Sequence, residues 1–379
     1  MQTPNSAITT FEDFERAGAS HTAREIAQQP GVWRELGPRT QVAQQFLAPL
    51  LARPDVQIVL CGAGTSAHIG ACLAPALTRR WGARVRAIAT TDLVADPRGC
   101  LNDAPLLLVS FARSGNSPES VAALKIADQV SSDCHHLIIT CNAEGALSRE
   151  GERSSRACVI QLPAQTNDRA FAMTSSFSCM LLAAALAFEL VSPQGVDDIA
   201  RWGDQMLADP SVEELSRSKY ERVVYLGDRE LGGLAREAAL KLLELTDGRV
   251  VAISETPMAF RHGPKCFINE RTLVIVLLSN DSYARAYEVD LLEELRRDGI
   301  AARVVTVAAG DIARSGEVTV PGARAASDLA LCFPFAVFAQ RLAMFASMAL
   351  NLKPDSPNAR GVVNRVVQGV TVYPWKAGQ

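Results

Sequence analysis

Short hydrophobic runs alternate with longer stretches of helical periodicity through most of this chain. In the first half, strand-like runs occupy residues 56–60, 84–89, 106–109, 137–140 and 157–162. Helix-like stretches lie among them at residues 66–80, 118–130 and 175–190. Strands that alternate with helices form βαβ units, in which neighbouring strands run parallel. The pattern therefore predicts an α/β domain built on a parallel sheet.

The same order of strands and loops returns in the second half of the chain. The strand-like runs of this second series are residues 221–226, 272–278 and 302–307. They follow the first series at an offset of about 165–168 residues, so that Gly227 corresponds to Gly62. A fixed offset predicts two tandem copies of one domain, each a flavodoxin-like parallel sheet between two layers of helices. One large α/β domain with coincidental spacing is the alternative.

We divide the chain into four parts on this basis. They are an N-terminal helical arm at residues 1–50, a first domain at 51–195, a second domain at 215–350 and a C-terminal tail at 351–379. The arm is expected to hold two helices separated at Pro30, because its charged and apolar positions alternate at helical spacing. Residues 191–217, which contain prolines and several charges, are expected to form the linker.

Charge and cysteine content limit the partners and the compartment. The 379-residue chain has a formal net charge of −3 and an isoelectric point near 6.0, which disfavours nucleic acid and favours a small substrate. Its nine cysteines are scattered and lack a C-x-x-C pair, as in reduced cytoplasmic proteins. The most hydrophobic stretches, residues 180–190 and 329–350, are short or interrupted by Gln340 and Arg341, so we expect no membrane span.

Two hydroxyl-rich turns carry the strongest chemical signal. The sequences CGAGTS at residues 61–66 and SFARSGNS at residues 110–117 each follow a strand-like run and precede a helix-like one. Backbone N–H groups, hydroxyl side chains and the positive ends of two helices would converge there on one anion. We therefore predict a phosphate site formed by Gly64, Thr65, Ser66, Ser110, Arg113, Ser114, Asn116 and Ser117.

Two alternatives concern the loops themselves. Residues 62–67 also satisfy the G-x-G-x-x-A fingerprint of dinucleotide-binding folds, with Asp92 at a plausible ribose distance. The hydroxyls of Thr65 and Ser66, together with the second turn, favour a sugar phosphate instead. A further hydroxyl cluster at residues 167–176 is expected either to cap the following helix or to contact the ligand.

Candidate acid–base groups occur in the second domain. Glu237, Lys241 and Glu244 are spaced i, i+4 and i+7, so they share one face of a predicted helix at residues 231–245. One interpretation is an ordinary salt-bridge stripe on a solvated surface. The other is a carboxylate base beside a lysine that stabilises negative charge on a sugar oxygen.

One of the five histidines stands in a setting suited to proton transfer. His262 lies in the sequence FRHGPK, where a Gly-Pro turn fixes the backbone and basic groups flank the ring. Imidazole both donates and accepts protons near neutral pH, as the opening of a sugar ring requires. His68 is expected to pack on its own helix. Because no carboxylate or thiol recurs with metal-ligand spacing, we expect neither a metal nor another cofactor.

These residues resemble those of sugar isomerase (SIS) domain proteins with two tandem SIS domains, such as the isomerase half of glucosamine-6-phosphate synthase. The resemblance is closer to the galactosamine-6-phosphate deaminase/isomerase family, also named tagatose-6-phosphate ketose/aldose isomerase. It rests on SFARSGNSPES at residues 110–120, ETPMAFRHGP at residues 255–264 and NRVVQGVTVY at residues 364–373. It covers nearly the whole chain.

The resemblance implies roles for matching residues. Ser66, Ser114 and Ser117 match the positions that bind the sugar 6-phosphate, and Arg113 occupies a neighbouring position that is glutamine in the synthase. Gln368 stands where the synthase has a C-terminal active-site lysine, which fits a different reaction. The tail is thereby expected to complete the active site.

The acid–base roles also follow from the resemblance. Glu244 matches the carboxylate that moves a proton between C1 and C2, Lys241 its supporting lysine and Glu237 the nearby acid. His262 matches the ring-opening histidine, which such proteins donate to the site of a neighbouring subunit. A homodimer or higher homo-oligomer is therefore expected. The spacing from Glu244 to His262 is two residues longer than in the synthase.

The reaction implied is the conversion of galactosamine 6-phosphate and water to tagatose 6-phosphate and ammonia. Plain ketose/aldose isomerisation without ammonia uses the same base, and the residues do not separate the two. A non-catalytic sugar-phosphate sensor is disfavoured, because no basic helix-turn-helix segment accompanies the candidate acid–base groups. The preference for a galacto over a gluco sugar rests on the resemblance alone.

Overall fold

Two parallel sheets organise the structure, a computed structural model that describes residues 11–218, 220–310, 316–367 and 369–376. The first sheet contains β1 (Gln57–Gly62), β2 (Val85–Ala89), β3 (Leu106–Ala112), β4 (Cys134–Thr140) and β5 (Ala157–Gln161). The second contains β6 (Arg222–Leu226), β7 (Val251–Glu255), β8 (Thr272–Leu277), β9 (Arg303–Ala309) and β10 (Glu317–Val320). All of the described strand pairs in both sheets are parallel, which confirms the predicted class.

The two sheets share one topology. The first has the spatial order β2-β1-β3-β4-β5, and the second has the equivalent order β7-β6-β8-β9-β10. This is the flavodoxin-like order, in which the strand order reverses between the first and third strands. In the first sheet the reversal places the ends of β1 and β3 side by side, with Leu60 opposite Val109. The predicted tandem repeat of one α/β domain is therefore confirmed.

Helices flank both sheets and also fill the regions around them. The helices up to the first sheet's end are α1 (Phe11–Arg16), α2 (Ser20–Ala27), α3 (Gln29–Arg34), α4 (Gly37–Leu51), α5 (Thr65–Trp81), α6 (Thr90–Ala95), α7 (Pro97–Cys100), α8 (Pro118–Val130), α9 (Ala146–Glu152) and α10 (Ser175–Ala187). The later helices are α11 (Pro193–Ala208), α12 (Ser211–Ser216), α13 (Arg229–Leu245), α14 (Pro257–Phe260), α15 (Ser282–Asp298) and α16 (Asp328–Ala349). Short 3₁₀ turns lie at Gly82–Arg84, Ala164–Thr166 and Pro264–Phe267.

The N-terminal segment differs from the expected two-helix arm. Its described part, residues 11–51, forms four helices, and Pro30 lies in the first turn of α3, where its missing N–H leaves no helical hydrogen bond unmade. Ile26 and Trp33 are fully buried in the main hydrophobic core. The Trp33 indole N–H donates to Ser178 Oγ of α10 at 3.0 Å. The segment therefore packs on its own chain.

The expected linker is also helical. Pro193 occupies the first turn of α11, and the Ser192 hydroxyl caps that helix by accepting from Gly195 N at 3.1 Å. Proline thus begins this helix, whereas the sequence interpretation took it for a break. Trp202 and Met206 are buried in the main core. This region is therefore part of the folded core, where α11 packs against α3 and α16.

Helix α16 has the length and composition of a membrane span, but it is a core helix. In its most apolar stretch of 18 residues, 83% are buried inside the fold. Phe333, Phe335 and Phe338 are all fully buried in the main hydrophobic cluster. Gln340 is buried too, and its side chain is paired with Gln29 and the carbonyl of Thr174. The hydrophobicity of α16 is thus explained by burial on all sides.

The two domains meet where α5 crosses α13. A Cβ atom at Gly233 would come within 2.5 Å of the backbone nitrogen of Cys72 and 2.6 Å of the carbonyl carbon of Ala71. The helices therefore touch backbone to backbone at this point. Farther along the crossing, the guanidinium of Arg79 pairs with the buried carboxylate of Glu230. This ion pair is a second link between α5 and α13.

Candidate active site

A cavity of about 110 Å³ lies at the carboxyl ends of β1 and β3. Helices α5 and α8 begin beside it, so their positive ends point toward it. Of the predicted phosphate-binding residues, the structure brings Ser66, Arg113, Ser114 and Ser117 to its lining. Ser120, Met173 and Arg365 line it as well, and the prediction included none of these three. The two hydroxyl-rich turns thus border one pocket, which hydroxyl and guanidinium groups share with apolar side chains.

The other four predicted residues have different surroundings. The Thr65 hydroxyl donates to Glu237 Oε1 at 3.2 Å, and Asn116 Oδ1 accepts from Ala146 N at 2.9 Å. Ser110 is buried on β3, and Gly64 forms the turn with a φ of 55°. None of these four is among the residues that line the cavity in the described chain. Gln368 lies outside the described residues.

The C-terminal tail closes one side of the cavity. Arg113, which is 7% exposed, donates to the carbonyl oxygens of Phe171 and Arg365. Arg365 in turn donates to the Asp168 carbonyl and to Asn167 Oδ1 at 2.8 Å. Burial, followed by the like charge of Arg365, lowers the pKa of the Arg113 guanidinium. Two cations held this close together favour an anion between or beside them.

The hydroxyl cluster that precedes α10 serves the fold. The fully buried Asp168 carboxylate accepts hydrogen bonds from the Thr174 backbone, from the Ser175 hydroxyl and from both the backbone and hydroxyl of Ser176. These groups are therefore already paired within the chain. The start of α10 is therefore capped by the Asp168 carboxylate and not by the N-cap hydroxyl of Thr174, while Met173 of the same segment lines the cavity.

Glu237, Lys241 and Glu244 form a continuous ionic array along α13. The Lys241 ammonium is 3.5 Å from Glu237 Oε1 and hydrogen-bonds to Glu244 Oε2. The side chains of Lys241 and Glu237 are 1% and 2% exposed, whereas that of Glu244 is 26% exposed. Burial alone would lower the pKa of Lys241, but the two carboxylates raise it overall. A solvated surface stripe is therefore excluded, and Glu244 is the member that solvent reaches.

The array is electrostatically connected to the cavity. The Arg113 guanidinium lines the cavity and lies within electrostatic range of the Glu244 carboxylate, although burial and Arg365 affect its pKa more and lower it overall. The same guanidinium opposes the charge on Lys241. The carboxylate that solvent reaches in the second domain is thus within electrostatic range of a cation at the hydroxyl-rich turns of the first.

The prediction for His68 was incomplete. Its ring does not merely pack on α5: Nδ1 lies 2.8 Å from Glu237 Oε2, across the domain boundary. Since a carboxylate only accepts hydrogen bonds, Nδ1 carries the hydrogen when Glu237 is ionised. No sequence signal indicated this contact, because the two residues are 169 positions apart.

His262 lies apart from the array in this single chain. It is exposed, on the turn after α14, and its backbone N–H donates to the Ala259 carbonyl at 2.9 Å. Neighbouring Arg261 and Lys265 both pair with Glu294 of α15, which fixes the turn on the surface. Within the described chain the His262 ring has no hydrogen bond or ion pair.

The second domain carries a turn equivalent to the first phosphate turn, but an internal ion pair fills it. Arg229, at the same offset from Gly64 as Gly227 from Gly62, has a φ of 54° beside the 55° of Gly64. Its guanidinium lies 2.8 Å from Asp281 Oδ2 and 3.4 Å from Asp328 Oδ2. Arg229 has a positive φ, and its guanidinium lies between two carboxylates. These carboxylates take the place that a phosphate would need beside the arginine.

One group of potential metal ligands occurs far from the cavity. Ligand atoms of Asp128, Cys134 and His136 lie within 4.8 Å of one another at the start of β4, the opposite end of the sheet. His136 Nε2 is 2.8 Å from Asp128 Oδ1, so this ring nitrogen is already paired within the chain. Burial raises the pKa of the Cys134 thiol, which opposes thiolate ligation.

Comparison with known proteins agrees with this architecture. Residues 50–190 match the family model described as SIS domain. The first of the two repeats, with its hydroxyl-rich turns, is therefore an SIS domain, and the repeated topology places the chain in the class of tandem SIS-domain proteins.

Full-length relatives define the family. The chain is 50% identical over 372 residues to a Streptomyces coelicolor protein that carries the AgaS name, covering 94% of this chain and 96% of that protein. It is 43% identical to the D-galactosamine-6-phosphate deaminase AgaS of Escherichia coli, covering 95% and 97% respectively. The crystal structure of tagatose-6-phosphate ketose/aldose isomerase from Escherichia coli matches with a TM-score of 0.85 and 41% identity, over 94% of this chain and 97% of that one. The chain belongs to the AgaS family.

Proposed function

We propose that this protein is an amino-sugar-phosphate deaminase/isomerase that converts galactosamine 6-phosphate and water to tagatose 6-phosphate and ammonia. The observation that carries the proposal is the position of Glu244. It is the accessible end of a buried ionic array, and its charge interacts with Arg113 at the phosphate turns. The names of the full-length relatives in the AgaS family support the choice of substrate.

The substrate's phosphate would be held at the cavity between the two turns. Ser66, Ser114 and Ser117 offer hydroxyl donors, and the first turns of α5 and α8 offer backbone N–H groups. Arg113 and Arg365 supply positive charge at the rim. Gly64, Thr65, Ser110 and Asn116 would shape the turns, and Gln368 stays a prediction. Since ion pairs fill the equivalent turn around Arg229, we propose one substrate site for each chain.

The chemistry requires one base that works twice. After the sugar ring opens, Glu244 would remove the proton from C2 to give an enolamine, and the same carboxyl group would return a proton to C1. The product is an imine at C2, to which water adds before ammonia leaves, so that tagatose 6-phosphate remains. General acid–base groups of this kind each contribute roughly 10²–10⁴-fold to the rate.

Lys241 would support this base from the buried side of α13. The sequence interpretation gave it contact with a sugar oxygen, but it is 1% exposed and bonded to the base itself. The ammonium ion would hold the Glu244 carboxylate in place by its hydrogen bond and balance its negative charge. Glu237 would balance the charge of Lys241 on its other side. Together, Lys241 and Glu237 would keep the Glu244 carboxylate at the site while their own charges stay buried.

His262 would open the sugar ring of a neighbouring subunit. Its exposed ring, on a turn held firmly to α15, suits donation across an interface more than a contact within its own chain. The protein would then be a homodimer or a higher homo-oligomer. Unpaired, mostly buried cysteines accord with a cytoplasmic location, which we include in the proposal.

The test is release of ammonia, measured by coupling to glutamate dehydrogenase. Galactosamine 6-phosphate and glucosamine 6-phosphate are compared side by side, and we expect ammonia from the galacto sugar at the higher rate. Absence of ammonia from both sugars, with interconversion of tagatose 6-phosphate and an aldose phosphate, would replace deamination by plain isomerisation. Saturable binding of the sugar phosphates without any turnover would instead identify a sensor.

A further inference from the structure

We infer that His68 is a positioning residue for the acid–base array, so that the first domain sets the geometry of the second domain's base. This inference rests on the proposed function of Glu244. His68 stands on α5, one helical turn beyond the phosphate turn, whereas the array stands on α13. Its contact with Glu237 therefore joins the phosphate-binding domain to the proton-transfer machinery.

Both oxygens of the Glu237 carboxylate are held by the first domain. His68 Nδ1 is 2.8 Å from Oε2, and the Thr65 hydroxyl is 3.2 Å from Oε1. These two donors are three residues apart on α5 and so lie on one face. Glu237 is 2% exposed, which leaves water no access to replace either donor. The orientation of the carboxylate is thus fixed from across the domain boundary.

The orientation of the Glu237 carboxylate determines whether Lys241 hydrogen-bonds to Glu237 or to Glu244. The ammonium ion is 3.5 Å from Glu237 Oε1, beyond a normal hydrogen bond, while it hydrogen-bonds directly to Glu244. Because His68 and Thr65 hydrogen-bond to the carboxylate oxygens of Glu237, that carboxylate does not move toward the Lys241 ammonium ion. Without His68, Glu237 has a free oxygen in a buried setting and its natural partner is Lys241. The lysine would then shift from Glu244 toward Glu237, and the base would lose its support.

A purely structural role for His68 as a link between domains is the competing explanation. The chain offers a matched control in Arg79, which also lies on α5 and also pairs with a buried α13 carboxylate, that of Glu230. Arg79 has no contact with the array or the cavity among the described residues. Loss of either contact weakens the same interface, but only loss of His68 disturbs Lys241.

The experiment compares His68→Ala, His68→Asn and Arg79→Ala in the full chain. Turnover, KM and thermal midpoint are measured for each with galactosamine 6-phosphate, or with the ketose phosphate if the wild type proves to be a plain isomerase. We expect His68→Ala to lower kcat roughly 10–100-fold with KM changed less than about threefold, since small displacements of a catalytic group have effects of this size. His68→Asn restores most of the rate, because its amide can donate to Glu237. Arg79→Ala lowers the thermal midpoint and keeps kcat.

Equal losses of kcat in His68→Ala and Arg79→Ala, or a kcat near wild type in His68→Ala, would overturn the inference. A crystal structure of His68→Ala tests it without any activity. We expect Lys241 Nζ to leave Glu244 for Glu237, and an unchanged Lys241–Glu244 hydrogen bond refutes the inference. A wild-type protein with no turnover at all counts against the proposed function instead, while the crystal structure still decides the role of His68.

Discussion

At the scale of single residues, the active site depends on a lysine that is almost completely buried between two carboxylates. Burial penalises the Lys241 charge, and Glu237 and Glu244 more than offset that penalty. The spacing of these three residues made the array predictable, because i, i+4 and i+7 positions share a helix face. The role of His68 was not predictable, because residue spacing reports neighbours on one element and not contacts between domains.

Replacement of Glu244 by Gln tests its role as the base. The amide keeps the shape of the side chain but cannot accept the C2 proton, so we expect turnover to fall by roughly 10²–10⁴-fold. Substrate binding, followed by calorimetry, is expected to stay within a few-fold of wild type, because Glu244 does not line the phosphate cavity. Turnover near the wild-type rate in this variant would remove Glu244 from the mechanism.

Two buried carboxyl groups outside the array predict the pH dependence of stability. Burial raises the pKa of Glu288 to about 8, and burial together with Asp168 raises that of Glu25 to about 7, both from 4.5. Each group therefore holds its proton to higher pH in the folded chain than in the unfolded chain. Their contribution to stability is complete below pH 4.5 and is lost as the pH rises toward 8.

Glu288→Gln isolates one of these groups. The amide of this variant stays neutral and can still accept from Ser279 N, as Glu288 Oε2 does at 2.8 Å. Near pH 9 we expect the variant to be more stable than wild type by on the order of 2 kcal/mol, and near pH 5 the two should be similar. Urea unfolding at both pH values measures this. Glu293→Gln, exposed on the same helix, is the control and should follow wild type; a Glu288→Gln variant that does the same contradicts the assignment.

At the scale of elements, the crossing of α5 and α13 sets the distance between the two halves of the site. Gly233 allows the two backbones to touch, and His68 and Arg79 pair across the boundary on either side. This close approach was not visible in the sequence. Glycine in a helix lowers its stability, so a glycine here is explained by packing.

Gly233→Ala tests that contact. A methyl group there would lie 2.5 Å from the Cys72 nitrogen, so the helices must separate. We expect a lower thermal midpoint and a fall in kcat of at least about 10-fold, because the base moves away from the phosphate turns. Gly31→Ala on α3 has open space around its added methyl group and should keep both properties. A Gly233→Ala protein with wild-type kcat would show that the crossing does not set the site.

The elements themselves were largely predictable where strands are buried. Eight of the ten described strands were recognised, because strands buried on both faces appear as continuous hydrophobic runs. The two that were missed, β7 and β10, lie at the edges of the second sheet, and Val251 at the start of β7 is 47% exposed. These two edge strands lack a long hydrophobic run, whereas the edge strands β2 and β5 of the first sheet have one and were recognised. The linker helices were missed because proline at a helix start was taken for a break.

At the scale of the whole molecule, the single chain has the cavity proposed for the phosphate and the proposed base Glu244, but in the described chain the ring of His262 does not line that cavity. Leu243, next to Glu244 in the sequence, and Met258, four residues before His262, are 41% and 42% exposed. Exposed apolar side chains of this size favour contact with another surface. A second copy of the chain would cover them and bring its own His262 to the cavity.

Hybrid oligomers test this arrangement. Chains with Glu244→Gln and chains with His262→Asn are each expected to be nearly inactive. When the two are mixed, briefly unfolded and refolded, each dimer that contains one chain of each kind has one intact site. Random pairing predicts recovery of about a quarter of the wild-type activity in a dimer. Recovery no greater than the sum of the two separate variants would place His262 in its own subunit's site or outside the mechanism. Refolded wild type is the control for yield.

Transfer of the C2 hydrogen by Glu244 is tested most directly with a labelled substrate. Galactosamine 6-phosphate deuterated at C2 is converted by the wild-type protein, with ammonia measured enzymatically and the product ketose examined by NMR. We predict one ammonia for each tagatose 6-phosphate, a slower rate with the deuterated substrate and part of the deuterium at C1. Ammonia without a ketose product, or equal rates for both substrates with no deuterium at C1, would contradict a carboxylate that moves this hydrogen.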